Sequence, residues 1–257
     1  MACIETVHAE NWPELAGVVD EYFSHYSNYI FRGQADSEWR LQPTINRVLN
    51  GLYAELPEKN EALEFHKARF RENIRGRVNF DLKHASDAEV WALGQHFGLS
   101  TPLLDWSLSP YVALFFSLFG PCESGNRVLW AILKDDIEVL DAKKRGSQKG
   151  VAIVNPMTHY NDRLVSQRGL FLNIPIGVDL EDWVRKGKDC GWVTLYKITF
   201  PDKIREDALS ALNIRNINHL SLFPDVSGAA LYANYQLEIE PYLEQSKVKH
   251  PWEVVSI

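Results

Sequence analysis

The stretch that decides the fold reads Gln95-His96-Phe97-Gly98-Leu99-Ser100-Thr101-Pro102-Leu103-Leu104-Asp105-Trp106-Ser107. It begins on the last turn of a helix. Ser86 followed by Glu89 is a capping box, Val90, Leu93 and Phe97 share one face, and Gly98 is a natural C-terminal stop. From Thr101 the helical period is lost and a short strand is expected. Ser109 and Pro110 then cap and open another helix, 111–119, which is apolar all round and therefore predicted to be buried. Helix, strand and buried helix in so short a span predict an α+β fold.

Working outward, Asn11-Trp12-Pro13-Glu14 is a helix start, and that helix is expected to run to about residue 26. Residues 28–31 read as a buried strand that delivers Arg32 and Gly33, and the chain turns at 41–43. Leu63, Phe70, Ile74 and Val78 recur at helical spacing among many charges, predicting an amphipathic helix over 57–80. Residues 127–133 and 192–200 read as strands. A helix is expected over 201–212 and another over 224–235, followed by a late strand at 236–239. No repeat, low-complexity linker or composition break divides the 257 residues, so one α+β domain over 1–257 is the economical expectation.

The 27 basic and 34 acidic residues leave a net charge of −7, which disfavours sequence-blind binding to nucleic acid over a broad surface. Cys3, Cys122 and Cys190 are odd in number and far apart, with no CxxC pair. That pattern predicts a reducing compartment and no disulfide framework. The N-terminus has no basic start followed by an apolar run, and 106–122 is interrupted by Pro110 and Gly120. The expectation is a cytoplasmic chain that does not meet a membrane. The sequence has no GxxxxGK[ST], GxGxxG, HExxH or GxSxG, and no His/Cys cluster at zinc spacing. No metal site is expected, which leaves chemistry done by positioning a bound reactant.

Three clusters carry candidate chemistry. In Phe31-Arg32-Gly33-Gln34, an Arg beside a Gly can aim a rigid fork at a phosphate or a hydroxyl pair, and the Gly lets a ligand reach the backbone. The bland account is an Arg that satisfies carbonyls next to a turn. In the 95–107 block, Thr101 could hold a ribose hydroxyl and Gln95 and His96 could line a pocket. Against that, Asp105 is more often a helix cap, Trp106 more often core, and His96 a partner of the helix dipole. In Asn161-Asp162-Arg163-Leu164-Val165-Ser166-Gln167-Arg168-Gly169-Leu170-Phe171, Arg163 and Gln167 lie one helical turn apart. A surface helix end leading into a strand explains that spacing equally well. Arg69, Arg71, Arg75 and Arg77 could grip a single nucleic-acid strand, or simply be the solvated face of their helix.

Together the three clusters resemble the FRG domain family, named for an aromatic-Arg-Gly motif that here is Phe31-Arg32-Gly33. A block of the form Q-H-x-G-x-P-T-R-L-L-D-W-T corresponds to 95–107, and R-x-x-x-Q-x-G-x-F to Arg163, Gln167, Gly169 and Phe171. The resemblance runs over about 28–171 and more weakly to Leu222-Phe223-Pro224-Asp225, with C-terminal helix and strand elements at 192–241. This chain has Ser100 and Pro102 where the family has Pro and Arg around the Thr, and Ser107 for the usual Thr.

The family's motifs look like those of a divergent ADP-ribosyltransferase. The resemblance therefore implies a split β-sheet core flanked by helices, with NAD as substrate. It places Arg32, Gln167 and Thr101 in catalysis, and Phe31, Arg32, Gly33, Gln34, Gln95, His96, Thr101, Asp105 and Arg163 around the cofactor. Gly169 stands where many transferases have the catalytic Glu, so Gln167 or an acid of Glu238-Ile239-Glu240 would have to serve. It further implies a bacterial toxin or phage-defence effector, with an RNA, DNA or protein acceptor and a protein antitoxin. The competing expectation is a non-catalytic module that binds a nucleotide or a protein.

Overall fold

The computed structural model describes residues 4–23, 28–78, 84–138, 150–156, 162–186 and 194–245. The chain is a mixed α+β structure built on a seven-stranded sheet flanked by helices. The strands are β1 (Ile4–His8), β2 (Tyr29–Gln34), β3 (Leu103–Ser107), β4 (Asn126–Leu133), β5 (Ala152–Val154), β6 (Gly169–Asn173) and β7 (Leu195–Pro201), in the spatial order β1-β7-β4-β2-β3-β6-β5. β1 and β7 run parallel; the other neighbours are antiparallel.

The sheet is two half-sheets joined at one point. β2 pairs with β4 along its whole length, from Tyr29 opposite Leu133 to Gln34 opposite Val128. β3 likewise pairs with β6 from Leu103 opposite Asn173 to Ser107 opposite Gly169. Between β2 and β3, however, the ladder is the single pair Phe31 and Ser107. Beyond that pair the backbone groups that face across the gap need other partners.

Strand alternation divides the core accordingly. On one face Ile30, Leu104, Trp106, Val128, Trp130, Leu170 and Leu172 form a cluster that runs across both half-sheets. It is covered by Leu180, Trp183 and Val184 of helix α7 (Leu180–Lys186). On the other face the apolar cover is in two pieces. Phe31, Leu129, Ile198 and Phe200 pack under α1 (Trp12–Phe23), α5 (Pro110–Ser117) and α8 (Arg205–Ile214). Leu103 and Phe171 pack under Trp91 and Ala92 of α4 (Asp87–His96). The space between those two pieces lies over the seam of the sheet.

Locally encoded features appear where the sequence puts them. Asn11 accepts from the Glu14 amide at 3.0 Å, and Ser86 and Glu89 form both halves of their capping box. Gly98 is left-handed at φ +87°, and Ser109 caps α5, leaving Asp105 free of the capping role. One helix adds to the expected elements and two expectations need correction. The turn at 41–43 leads into α2 (Thr44–Leu52), held by Ile45 and Leu49 one turn apart, and α3 (Leu56–Asn73) stops short of residue 80. No late strand forms at 236–239. After the single turn of α9 (His219–Leu222), those residues lie within α10 (Val226–Gln245). Tyr235 and Ile239, 1% and 2% exposed, repeat at the helical interval and anchor that helix in the core. Glu238-Ile239-Glu240 is therefore helical and not an edge-strand pair. Cys122 is a free thiol, and Cys3 and Cys190 lie outside the described residues. Among the described residues no helix is long and apolar enough to cross a membrane.

Candidate functional site

Over the seam lies a cavity of about 380 Å³, within the usual range for small-molecule sites. β2 supplies one lip with Phe31, Arg32 and Gly33, and β3 the other with Asp105, Trp106 and Ser107. Gln95 and His96 line the cavity from α4. Arg163 and Gln167, on and just after α6 (Asp162–Ser166), line it as well, and Phe116 and Phe223 form an aromatic wall with ring centroids 6.0 Å apart. The three sequence clusters, far apart along the chain, thus converge on one cavity.

Arg32 bridges the gap that the missing ladder leaves. Its Nη1 donates to the Asp105 carbonyl at 2.7 Å, where a closed sheet would have placed a backbone N–H. The same nitrogen is 3.9 Å from Asp105 Oδ2, and the side chain is 20% exposed. Its Nε is buried without a partner among the described residues. Burial lowers the guanidinium's pKa and the Asp105 charge opposes that, but an arginine stays protonated throughout the physiological range. The lip therefore carries a fixed positive charge with donor capacity to spare.

Gly33 has a packing reason to be glycine. A Cβ built there would lie 1.9 Å from the Ala113 carbonyl oxygen and 2.7 Å from the Ser117 nitrogen, so α5 rests directly on the β2 backbone. Phe31 lines the cavity by its position but drives its ring into the core, 2% exposed and edge-on to Phe23 at 5.1 Å.

The β3 lip is organised from behind. Thr101 is 1% exposed and does not line the cavity. Its Oγ1 accepts from the Leu103 amide at 3.2 Å and donates to Gln95 Oε1. With its oxygen so occupied, Gln95 turns Nε2 to Asp105 Oδ2 at 2.8 Å. Thr101 thus acts on the site through Gln95, not as a hydroxyl open to a ligand. Gln34 also stands apart from the cavity. It shares the opposite face with Ile30, takes a 2.7 Å hydrogen bond from Trp130 Nε1, and donates to the Arg40 carbonyl at 3.4 Å. Arg32 begins on that same face, but its longer side chain reaches back to the seam.

The α6 side of the cavity is held by a latch. Arg163 Nε donates to Asp225 Oδ2 at 2.7 Å, Nη2 to Ser227 at 2.6 Å, and the guanidinium lies 5.3 Å from the Phe223 ring centroid. Gln167 Nε2 donates to the Leu222 carbonyl at 3.1 Å, at the end of α9, while its own carbonyl takes the Ser107 hydroxyl at 2.8 Å. Gln167 therefore ties α6 both to β3 and to the segment bearing Phe223. Gly169 is close-packed: a Cβ there would meet Leu164 Cδ1 at 2.6 Å. The left-handed residue of this turn is Arg168, at φ +48°.

His96, desolvated and near the positive Arg163, has its pKa lowered, so the imidazole is neutral at pH 7. Hydrogen bonds from Ser227 and from the Gly228 amide, with the Arg163 charge, hold the Asp225 carboxyl well below the usual carboxylate range. A depressed folded-state pKa stabilises above about pH 4, and that stabilisation is lost as pH falls through the folded-state value. Asp225→Asn is expected to lower Tm at pH 7, with the deficit shrinking as wild type and variant are compared from about pH 4 down to about pH 2.

In the Arg69, Arg71, Arg75 and Arg77 series three side chains have partners. Arg69 is 3.8 Å from Glu72, Arg71 contacts Asp87 at 3.1 Å, and Arg77 donates to the Asn73 carbonyl at 3.0 Å.

The FRG domain family model matches residues 27–125, the span that carries Phe31-Arg32-Gly33 and the 95–107 block. The chain carries an FRG domain. It comprises β2, β3 and helices α2 to α5 and supplies both lips of the seam, whereas Arg163, Gln167 and Phe223 come from the chain that follows it. No curated protein and no solved structure matches the chain significantly.

The aromatic wall was not legible as such. Phe116 sits in a run that reads as ordinary core and Phe223 in a stretch the family resemblance reaches only weakly, and the packing over the seam brings both to one cavity.

Proposed function

We propose that the chain is an NAD-dependent ADP-ribosyltransferase whose substrate binds in the seam cavity. The observation that carries this reading is the convergence of three separate motifs on the one place where the sheet is joined by a single pair. A sheet parted in this way is what the ADP-ribosyltransferase resemblance calls for. It exposes backbone at Gly33 that can read a carboxamide, beside a fixed guanidinium that suits the ribose and phosphates. Phe116 and Phe223 offer faces against which a flat ring can stack.

In this reading Arg32 anchors NAD, with Phe31 and Gly33 shaping its lip. Gln95, His96, Asp105 and Arg163 surround the ligand, Gln167 orders the α6 wall, and Thr101 contributes through Gln95. The chemistry asks for little acid–base power. The bond from nicotinamide to ribose breaks with its electron pair leaving on nicotinamide. The acceptor then attacks the oxocarbenium-like carbon and sheds a proton. Positioning and exclusion of water contribute most of the rate. A neutral His96 adds no positive charge to oppose the cation. The acceptor is an RNA, a DNA or a protein, and a toxin or phage-defence role with a protein antitoxin fits such chemistry.

Gly169 favours a second reading, a module that binds a nucleotide or protein without turnover, because a glycine brings no carboxylate to the position where many transferases have the catalytic Glu. NAD labelled on its adenylate, incubated with the purified chain and cell extract, separates the two. Label entering the protein or nucleic-acid fraction, with nicotinamide released, is expected. Saturable NAD binding with neither label transfer nor nicotinamide would favour the module.

A further inference from the structure

The cleavage proposed above generates positive charge at the ribose carbon, and Gly169 supplies no carboxylate to meet it. Among the described residues that line the cavity, Asp105 carries the only carboxylate. Resting on the reading of the cavity as an NAD site, we infer that Asp105 is the anionic partner of the reaction.

Three observations support the assignment. The first is register. Asp105 is opposite Phe171 and Ser107 is opposite Gly169 across the β3–β6 ladder. Asp105 and position 169 are thus diagonal neighbours on one face, with Cα atoms roughly 7–8 Å apart in such an arrangement. A carboxylate on β3 can therefore serve the same part of the cavity as one on β6.

The second is preorganisation. The Leu103 amide, the Thr101 hydroxyl and the Gln95 amide form a directed chain that ends on Asp105 Oδ2. Each link fixes the sense of the next, since Thr101 Oγ1 accepts from Leu103 and has its proton left to give to Gln95 Oε1. A buried threonine and its partner glutamine are thus committed to aiming one carboxylate. An aspartate with only a surface role would have no need of that chain.

The third is acceptor capacity at the working atom. The Asp105 side chain is 63% exposed, and Oδ1 accepts no hydrogen bond among the described residues. Oδ2 is held and Oδ1 keeps its acceptor capacity.

In the reaction, the C–N bond between ribose and nicotinamide breaks and its pair neutralises the pyridinium nitrogen. Oδ1 offsets the charge on the ribose carbon. The oxygen or nitrogen of the acceptor's O–H or N–H forms the new bond to that carbon, and its proton passes to Asp105 and then to water. Gln95 and Thr101 are positioning residues.

The test uses the full chain and NAD. Asp105→Asn keeps the shape and the backbone carbonyl that Arg32 holds, so the fold is retained. Calorimetric NAD affinity is expected to stay within about 3-fold of wild type while nicotinamide release falls at least about 100-fold. Thr101→Val is expected to lower kcat about 10-fold with KM for NAD unchanged, and Thr101→Ser to restore it. Release by folded Asp105→Asn within about 3-fold of wild type would overturn the assignment and leave the transferase reading standing. Equal loss of binding and release would also overturn it, reducing Asp105 to a binding contact. A wild-type chain that neither binds nor cleaves NAD, with extract present, would overturn the reading and the assignment together.

Discussion

Arg32→Ala is expected to reduce nicotinamide release by about 100- to 1000-fold while far-UV circular dichroism stays that of the wild type. The magnitude is that of removing one preorganised charged donor from a site where charge is bound. The fold survives because Arg32 is not a core side chain. Its hydrogen bond goes to the Asp105 carbonyl, at the edge of a cavity from which water can replace it. Arg32→Lys is expected to recover little. An ammonium is a point charge and cannot span the seam while presenting a second edge to a ligand, as a planar guanidinium can. Wild-type release from folded Arg32→Ala would show that the seam arginine only mends the sheet.

Gly33→Ala is expected to destabilise the chain by about 3 kcal/mol, at the upper end of ordinary overpacking costs. The reason is that the added methyl meets backbone. The Ala113 oxygen, 1.9 Å from where that methyl would stand, cannot swing aside as a side chain would, so α5 must retreat as a unit. For a chain of this size the change corresponds to a drop in Tm of roughly 6–12 °C in a thermal melt. Because Ala113 and Phe116 of α5 line the cavity, NAD affinity should fall as well. A melt unchanged within about a degree would mean that α5 does not bear on β2, and the packing account of Gly33 would fail. The residue that gives the motif its Gly therefore serves the fold at least as directly as it serves a ligand.

Features set by neighbouring residues were legible in the sequence. The Ser86 capping box, the Ser109 cap and the Gly98 stop depend on contacts within a turn of the chain, and each is present. Short elements that exist only through tertiary pairing were not legible. β1 is held by β7, far along the chain, and β5 is three residues laid on β6. The stretch 236–239 alternates polar and apolar residues and so reads as a strand. Its helical identity is fixed by Tyr235 and Ile239 entering the core one turn apart.

The site was legible as three clusters but not as a mechanism. Asp105 reads as a cap until Ser109 is seen to take that role. Thr101 reads as a hydroxyl for a ribose until its burial and its bond to Gln95 are known. Gln34 follows Gly33 in sequence, yet the two-residue period of a strand sends it to the opposite face. The seam itself left no trace in the sequence, because a missing ladder is a property of two strands at once.

The claim that the seam is where NAD binds is tested most directly by titrating NAD into the 15N-labelled chain and following backbone and indole N–H resonances. The Trp106 indole reports from the core directly behind the β3 lip, where its Nε1 is buried without a hydrogen-bond partner among the described residues. The account predicts saturable shifts at Arg32, Gly33, Asp105, Trp106, Gln167 and Gly169, absent in Arg32→Ala. Saturable shifts confined to residues away from the seam, or none at all, would contradict it.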